Sequence, residues 1–163
     1  MPNRYAAERG IPTAPACRKS SLQLRFNGRF LSLRTPQVRS YAAVSGRPTA
    51  SGLFDNSQAR QHESREGPIP AGRYWIQPSQ MWTNHWYNLA PRAAWGNHRI
   101  TIHVFPGTDT YGRGGFFIHG GTHAGSAGCI NLHGGMEDLF RTLKATTAKS
   151  PDCYIPLTVE YAY

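Results

Sequence analysis

The stretch Phe116-Phe117-Ile118-His119-Gly120-Gly121-Thr122-His123-Ala124-Gly125-Ser126-Ala127-Gly128-Cys129-Ile130-Asn131 decides how the rest of the chain is read. It opens as a short apolar run, Phe116 to Ile118, with the composition of a buried strand. The run meets His119 and breaks at Gly120-Gly121 into a loop of Gly, Ala, Ser and Thr, which ends on Cys129 between Gly128 and Ile130. A strand end presenting an imidazole, followed by a glycine-rich loop presenting a thiol, places a base beside a nucleophile. A thiol is a poor nucleophile until its proton is removed, and imidazole does this near neutral pH. The glycines permit positive φ, so that backbone N–H groups around Ser126, Ala127 and Gly128 turn inward as an oxyanion hole requires.

Ile118-His119-Gly120 followed by Ser126-Ala127-Gly128-Cys129-Ile130-Asn131 resembles the catalytic signature of the L,D-transpeptidases, the YkuD-like fold. Cys129 matches the nucleophile of that family and His119 its base, while Ser126, Gly128 and Asn131 match the frame around them. Upstream, Gly67-Pro68-Ile69-Pro70-Ala71-Gly72-Arg73-Tyr74 matches a Gly-Pro-x-Pro-x-Gly element of the same domains. There are two departures. Ala127 stands where the usual pattern has a second histidine, and the His-to-Cys spacing of 129 − 119 = 10 is short. Both resemble a subgroup of antibacterial toxins delivered by type VI secretion, which act on peptidoglycan as L,D-carboxypeptidases or D-amino-acid-exchanging transpeptidases.

The resemblance covers roughly residues 20 to 162. It implies a mainly β fold, a mixed β-sandwich or partly closed barrel with one C-terminal helix. Residues 1–20 form a loose arm and residues 21–163 the catalytic domain. It implies a thioester mechanism on tetrapeptide stems that needs no cofactor. The implied partners are peptidoglycan stem peptides, a periplasmic immunity protein and a component of the secretion apparatus. A housekeeping crosslinking enzyme of the same family is the alternative within the class. A basic, non-catalytic wall-binding module with an inert buried Cys129 is the alternative outside it.

The remaining histidines are weighed against these two residues. His103 lies on the strand preceding His119, with parity opposite to Ile100, Ile102 and Val104. If the two strands pair, His103 neighbours His119 and orients it; a backbone carbonyl is the other candidate for that role. Gly120, Asn131 and His123 are further candidates for support or substrate contact. His119 and His123 have H-x3-H spacing near Cys129, but that spacing gathers ligands on a helix, and Gly120-Gly121 opposes one, so no metal site is read. Papain-like amidases carry the cysteine before the histidine, the reverse of the order here.

The totals agree with one domain. The chain has 163 residues, 17 Gly, 12 Pro and a formal net charge of +9, which favours strands and loops with a basic surface suited to an anionic partner. Lys and Arg are scattered without a run, which argues against nucleic acid. The three cysteines are too few and odd in number for a disulfide scaffold, although Cys17 and Cys153 pair if the fold brings the chain ends together. No apolar run is long enough to span a membrane, and Met1 to Gly10 lacks the apolar core of a secretory signal. The expectation is synthesis in the cytoplasm, export by an injection machine and action in the periplasm of a target bacterium.

Periodicity supplies the elements. Leu22 to Leu33 alternates around Asn27-Gly28 and predicts a hairpin with a type I′ turn. Strands are predicted at Val38–Val44, Gly72–Gln77, His98–Phe105, Phe116–His119 and Tyr154–Tyr161. Arg47 to Pro70 reads as a long loop with a solvated cluster of Arg60, His62, Glu63, Arg65 and Glu66. Trp82, Trp86, Tyr87 and Trp95 read as core packing, with Trp82 or Trp86 left as a groove-lining residue. Met136, Leu139, Phe140 and Leu143 fall on one helical face and predict a helix over Met136–Ala145.

Overall fold

Leu22, Leu24 and Phe26 alternate with polar residues, and so do Leu31 and Leu33; each set is nearly or wholly removed from solvent. They build β1 (Gln23–Phe26) and β2 (Phe30–Arg34), which pair antiparallel with Phe26 opposite Leu31. The turn is not the expected type I′. Only Gly28, at φ +94°, has positive φ, and Asn27 does not. Instead the Asn27 side-chain oxygen accepts from the N–H groups of Arg29 and Phe30 at 2.9 and 2.8 Å. The side chain has taken over bonding that a second left-handed residue would have arranged.

The computed structural model describes residues 14–18, 21–83, 98–121 and 128–162. Among the described residues ten strands form one sheet, so the fold is mainly β. They are β1, β2, β3 (Val38–Ser45), β4 (Gly72–Ile76), β5 (Met81–Thr83), β6 (His98–Thr101), β7 (His103–Val104), β8 (Phe117–His119), β9 (Ile130–Leu132) and β10 (Ile155–Val159). Their order is β5-β6-β8-β9-β3-β2-β1-β10-β4-β7. The pairs β1–β10 and β8–β9 are parallel and the others antiparallel. β6 and β7 stand toward opposite ends of this order, yet only Ile102 separates them in sequence. The sheet must therefore curl until its ends approach, although no ladder among the described residues closes it. The predicted strand His98–Phe105 is thus two strands that change partners at Ile102.

One apolar interior fills the curled sheet, with Leu24, Leu31, Ile69, Ile76, Ile118 and Ile130 at its centre. The helix α2 (Met136–Thr146) covers it by the predicted stripe, with Met136, Leu139, Phe140 and Leu143 buried. Glu137 and Asp138 in its first turn and Lys144 in its last suit the helix dipole. Among the described residues no helix is long and apolar enough to cross a membrane. Cys17 and Cys153 form a disulfide, with Tyr154 N–H donating to the Cys17 carbonyl at 3.0 Å beside it. Residues 1–13, to which most of the expected arm belongs, lie outside the described residues, as do Trp86, Tyr87 and Trp95.

The segment expected as a long loop carries one short helix, α1 (Gln58–Gln61), capped by the Ser57 side chain. Its charged cluster is indeed mostly solvated, with Arg60 bonded to Glu63. Its end is different: Gly67, Pro68, Ile69 and Pro70 are all buried. The carbonyls of Ile69 and Pro70 accept from the Tyr161 and Tyr74 hydroxyls, and those of Gly67 and Pro68 need another internal donor. That donor belongs to the candidate site.

Candidate active site

Alternation along β8 turns Ile118 into the core and sends His119 to the other face of the sheet. β9 runs parallel beside it, with Ile118 opposite Ile130 and His119 opposite Asn131. Cys129, the residue before β9, shares the parity of Asn131 and therefore the face of His119. Cys129 is 8% exposed, His119 2% and Asn131 1%. The sequence-predicted base, nucleophile and asparagine thus share one face of two neighbouring parallel strands, with His119 opposite Asn131 and Cys129 one pleat before it. Gly120 follows directly, and a Cβ on it would press on Met136 of α2 at 3.2 Å, so the chain passes the helix where only glycine fits without displacement.

The tautomer of His119 is set by its neighbour. Its Nδ1 lies 2.5 Å from the Gly120 carbonyl oxygen. A carbonyl only accepts, so Nδ1 carries the proton and Nε2 the lone pair. Burial pushes the His119 pKa down; the Gly120 carbonyl pulls it partly back, and the positive charge of Arg99 lowers it further. The outcome is a neutral imidazole that can accept a proton.

Beside Gly128 sits Arg113, a residue without a sequence signal of its own. Its guanidinium is buried and donates to the carbonyls of Gln61, Pro68 and Gly67 at 2.6, 2.7 and 2.8 Å. The Gly67 carbonyl also accepts from the Gly128 N–H at 3.1 Å. One oxygen therefore ties the cation to the cysteine loop. A Cβ on Gly128 would lie 2.6 Å from the Phe116 ring and 3.0 Å from Arg113 Nη2, and φ there is +74°. Burial lowers the Arg113 pKa, while Tyr74, Tyr161 and Cys129 act to raise it. The same bond corrects one expectation: the Gly128 N–H is spent on Gly67 and is not an oxyanion donor. Ser126, Ala127 and His123 lie outside the described residues.

His103 does not neighbour His119. It lies on β7, paired with Trp75 of β4; its ring stacks on Trp75 at 4.2 Å and its Nε2 meets Gln80 Oε1 at 2.5 Å. The change of partners at Ile102 removes it from β8. The residue set opposite His119 by the β6–β8 ladder is Arg99, and Trp82 is opposite Arg99 on β5. Parity alone did suggest that a residue of this segment would face His119, but it named the wrong end. Among the described residues no three His, Cys, Asp or Glu side chains gather as metal ligands.

The sequence model of the Tlde1 domain matches residues 39–155. No curated protein matches the chain. Among solved structures, one titled as Bdellovibrio bacteriovorus Bd1075 is similar at 16% identity and a TM-score of 0.49, covering 91% of this chain and 50% of its own. The chain thus spans about half the length of that structure.

Proposed function

This chain belongs to the Tlde1 family, a family of type VI secretion effectors, and we propose that it is a cysteine acyl transferase acting on the stem peptides of peptidoglycan. The observation that carries this reading is the parallel β8–β9 pair, which sets Cys129 and a His119 of defined tautomer on one face. The substrate class comes from the resemblance of Ile118-His119-Gly120 and Ser126 to Asn131 to the L,D-transpeptidase signature, and the net charge of +9 suits an anionic wall.

His119 Nε2 takes the thiol proton of Cys129. The thiolate attacks the carbonyl at the L-centre of diaminopimelate in a tetrapeptide stem. The tetrahedral intermediate expels D-Ala as its C–N bond breaks, and the imidazolium returns the proton to the leaving amine. A thioester remains. Water, deprotonated by His119, releases a tripeptide and the free thiol; the amine of a D-amino acid gives exchange instead. With Gly128 committed to Gly67, the oxyanion falls to other amides of the cysteine loop. Burial keeps the imidazole neutral in the resting enzyme, as the first step requires.

The test is mass spectrometry of muropeptides incubated with the protein and with Cys129→Ala. Loss of D-Ala from tetrapeptides with the parent protein only is the expected result, and the product masses separate hydrolysis from exchange. Unchanged muropeptides, together with sacculus binding by both proteins, would instead establish a wall-binding module. Action in the periplasm is tested by directing the chain there in a Gram-negative host; growth equal to that of the Cys129→Ala strain would refute toxicity.

A further inference from the structure

The face that holds His119 continues beyond the nucleophile. Cross-strand register aligns Val44 of β3, Asn131 of β9, His119 of β8, Arg99 of β6 and Trp82 of β5 in one row. Arg99 is partly exposed, and its guanidinium carbon stands over two rings, 5.2 Å from the centre of Trp82 and 4.6 Å from that of Phe117. Trp82 is 39% exposed, unusual for a large aromatic residue and consistent with a lined groove. Aromatic rings attract a guanidinium through their π faces. Its N–H groups lie in the plane, where they meet a carboxylate in a forked pair.

We infer that Arg99, held by Trp82 and Phe117, binds the free α-carboxylate of the residue that leaves the substrate, and so makes the enzyme select stems with a free C-terminus. The inference rests on the acyl-transfer reading above and names its specificity residue. The dimensions agree. In a dipeptide unit the terminal carboxyl carbon lies within about 4 Å of the scissile carbonyl carbon. One strand spacing is about 4.8 Å. Cys129 lies one pleat off this row, so a scissile carbonyl between Cys129 and His119 places the carboxylate about one strand away beside the row, over β6 or over β3. Toward β3 the row offers Val44; toward β6 it offers Arg99. A carboxylate favours the cation. Arg99 touches substrate and not the sulfur, so it is a binding residue, and R99K keeps the charge that acts on His119.

The experiment compares two synthetic tetrapeptide stems, one ending in a free carboxylate and one in a carboxamide, with the parent protein, R99Q and R99K. Turnover is read as kcat and KM, and binding to the Cys129→Ala protein with and without R99Q is read by calorimetry. The parent protein is expected to favour the free acid about 10- to 100-fold, the span of a lost charge-assisted hydrogen bond. The preference should lie mainly in KM, be abolished in R99Q and be partly kept in R99K. The urea-unfolding midpoint of R99Q should stay close to the parent value, which separates lost recognition from a disturbed fold. Turnover with no preference for the acid, or a preference that survives R99Q, would overturn the role of Arg99 and leave the acyl-transfer reading standing. Tighter binding of the acid that depends on Arg99, without turnover of either stem, would sustain Arg99 and overturn the chemistry. Neither turnover nor discriminating binding overturns both.

Discussion

Replacement of Arg113 by methionine removes a buried cation of similar length while keeping an apolar side chain in its place. Three charge-assisted bonds disappear, at 2.6, 2.7 and 2.8 Å. The Gly67 carbonyl keeps the Gly128 N–H at 3.1 Å, so it is not stranded. The two carbonyls whose loss must be counted are those of Gln61 and Pro68. A buried acceptor deprived of its donor costs about 1–3 kcal/mol, which gives about 2–6 kcal/mol for the two. Escape from burying a guanidinium offsets part of this, because desolvating that charge costs several kcal/mol. A net loss of about 1–3 kcal/mol is expected, a sizeable share of the roughly 5–15 kcal/mol available to a domain of this size.

Stability is only half of the outcome. Arg113 is always charged, and it acts electrostatically on Cys129 from within the protein. A neighbouring cation favours the thiolate. The assay is therefore double: urea unfolding for the stability change, and iodoacetamide alkylation against pH for the thiolate. Arg113→Lys keeps the charge but not the fork, so it should lose about 1–3 kcal/mol while alkylating more nearly like the parent than Arg113→Met does. If Arg113→Met unfolds within about 1 kcal/mol of the parent and its alkylation profile does not move, the carbonyl cradle and the electrostatic link to Cys129 are both wrong.

Other perturbations test the same site. Gly128→Ala puts a methyl group 2.6 Å from the Phe116 ring at φ +74°; the strained φ costs about 1–2 kcal/mol and the overpacking about 1–3 kcal/mol more. Its displaced thiol should cut turnover by about 100-fold, and near-parent turnover would contradict the packing described. His119 has a lowered pKa in the folded protein, so the unfolded chain binds the extra proton. Its contribution to stability is level above about pH 6.5 and falls as the pH drops from there through the folded pKa. The acid limb of kcat/KM assigned to His119 should accordingly lie below about 6.5, and a limb above 7 would count against a desolvated neutral base. The Cys17–Cys153 disulfide closes a loop with a sequence separation of 136 residues. Its loss in Cys17→Ser should cost up to about 5 kcal/mol by loop entropy, read as a lower melting temperature that dithiothreitol also produces in the parent; no shift under either treatment would show that the bond contributes nothing.

Much of this arrangement is written in short-range pattern. His119 and Cys129 were legible because strand alternation and a glycine loop are local signals. Helix α2 was legible because its apolar stripe extends over two turns. What escaped depends on which strands pair. His98 to Phe105 reads as one strand, and nothing local says that it changes partners at Ile102. His103 therefore looked like the neighbour of His119 when the ladder in fact sets Arg99 there. The turn at Asn27-Gly28 escaped for a smaller reason: the Asx bonds of Asn27 satisfy the same N–H groups without a left-handed residue.

Arg113 shows a different limit. Nothing around it in the sequence is acidic enough to suggest a buried charge, and its partners are carbonyls some fifty residues away that any chain possesses. Yet a signal was present. Gly67-Pro68-Ile69-Pro70 is apolar and rich in residues that cannot donate, inside a segment otherwise read as solvated. Prolines at 68 and 70 lack N–H groups, so a buried run of this kind has more acceptors than donors and needs a multivalent donor from elsewhere. Arginine, with five N–H donors in a rigid fork, is the side chain that can serve the carbonyls of Gly67 and Pro68 and that of Gln61 at once. The Gly-Pro-x-Pro-x-Gly element and the cysteine loop, far apart in sequence, are thereby two sides of one structure. The first holds the cation, and the Gly67 carbonyl passes its position to Gly128 and so to Cys129.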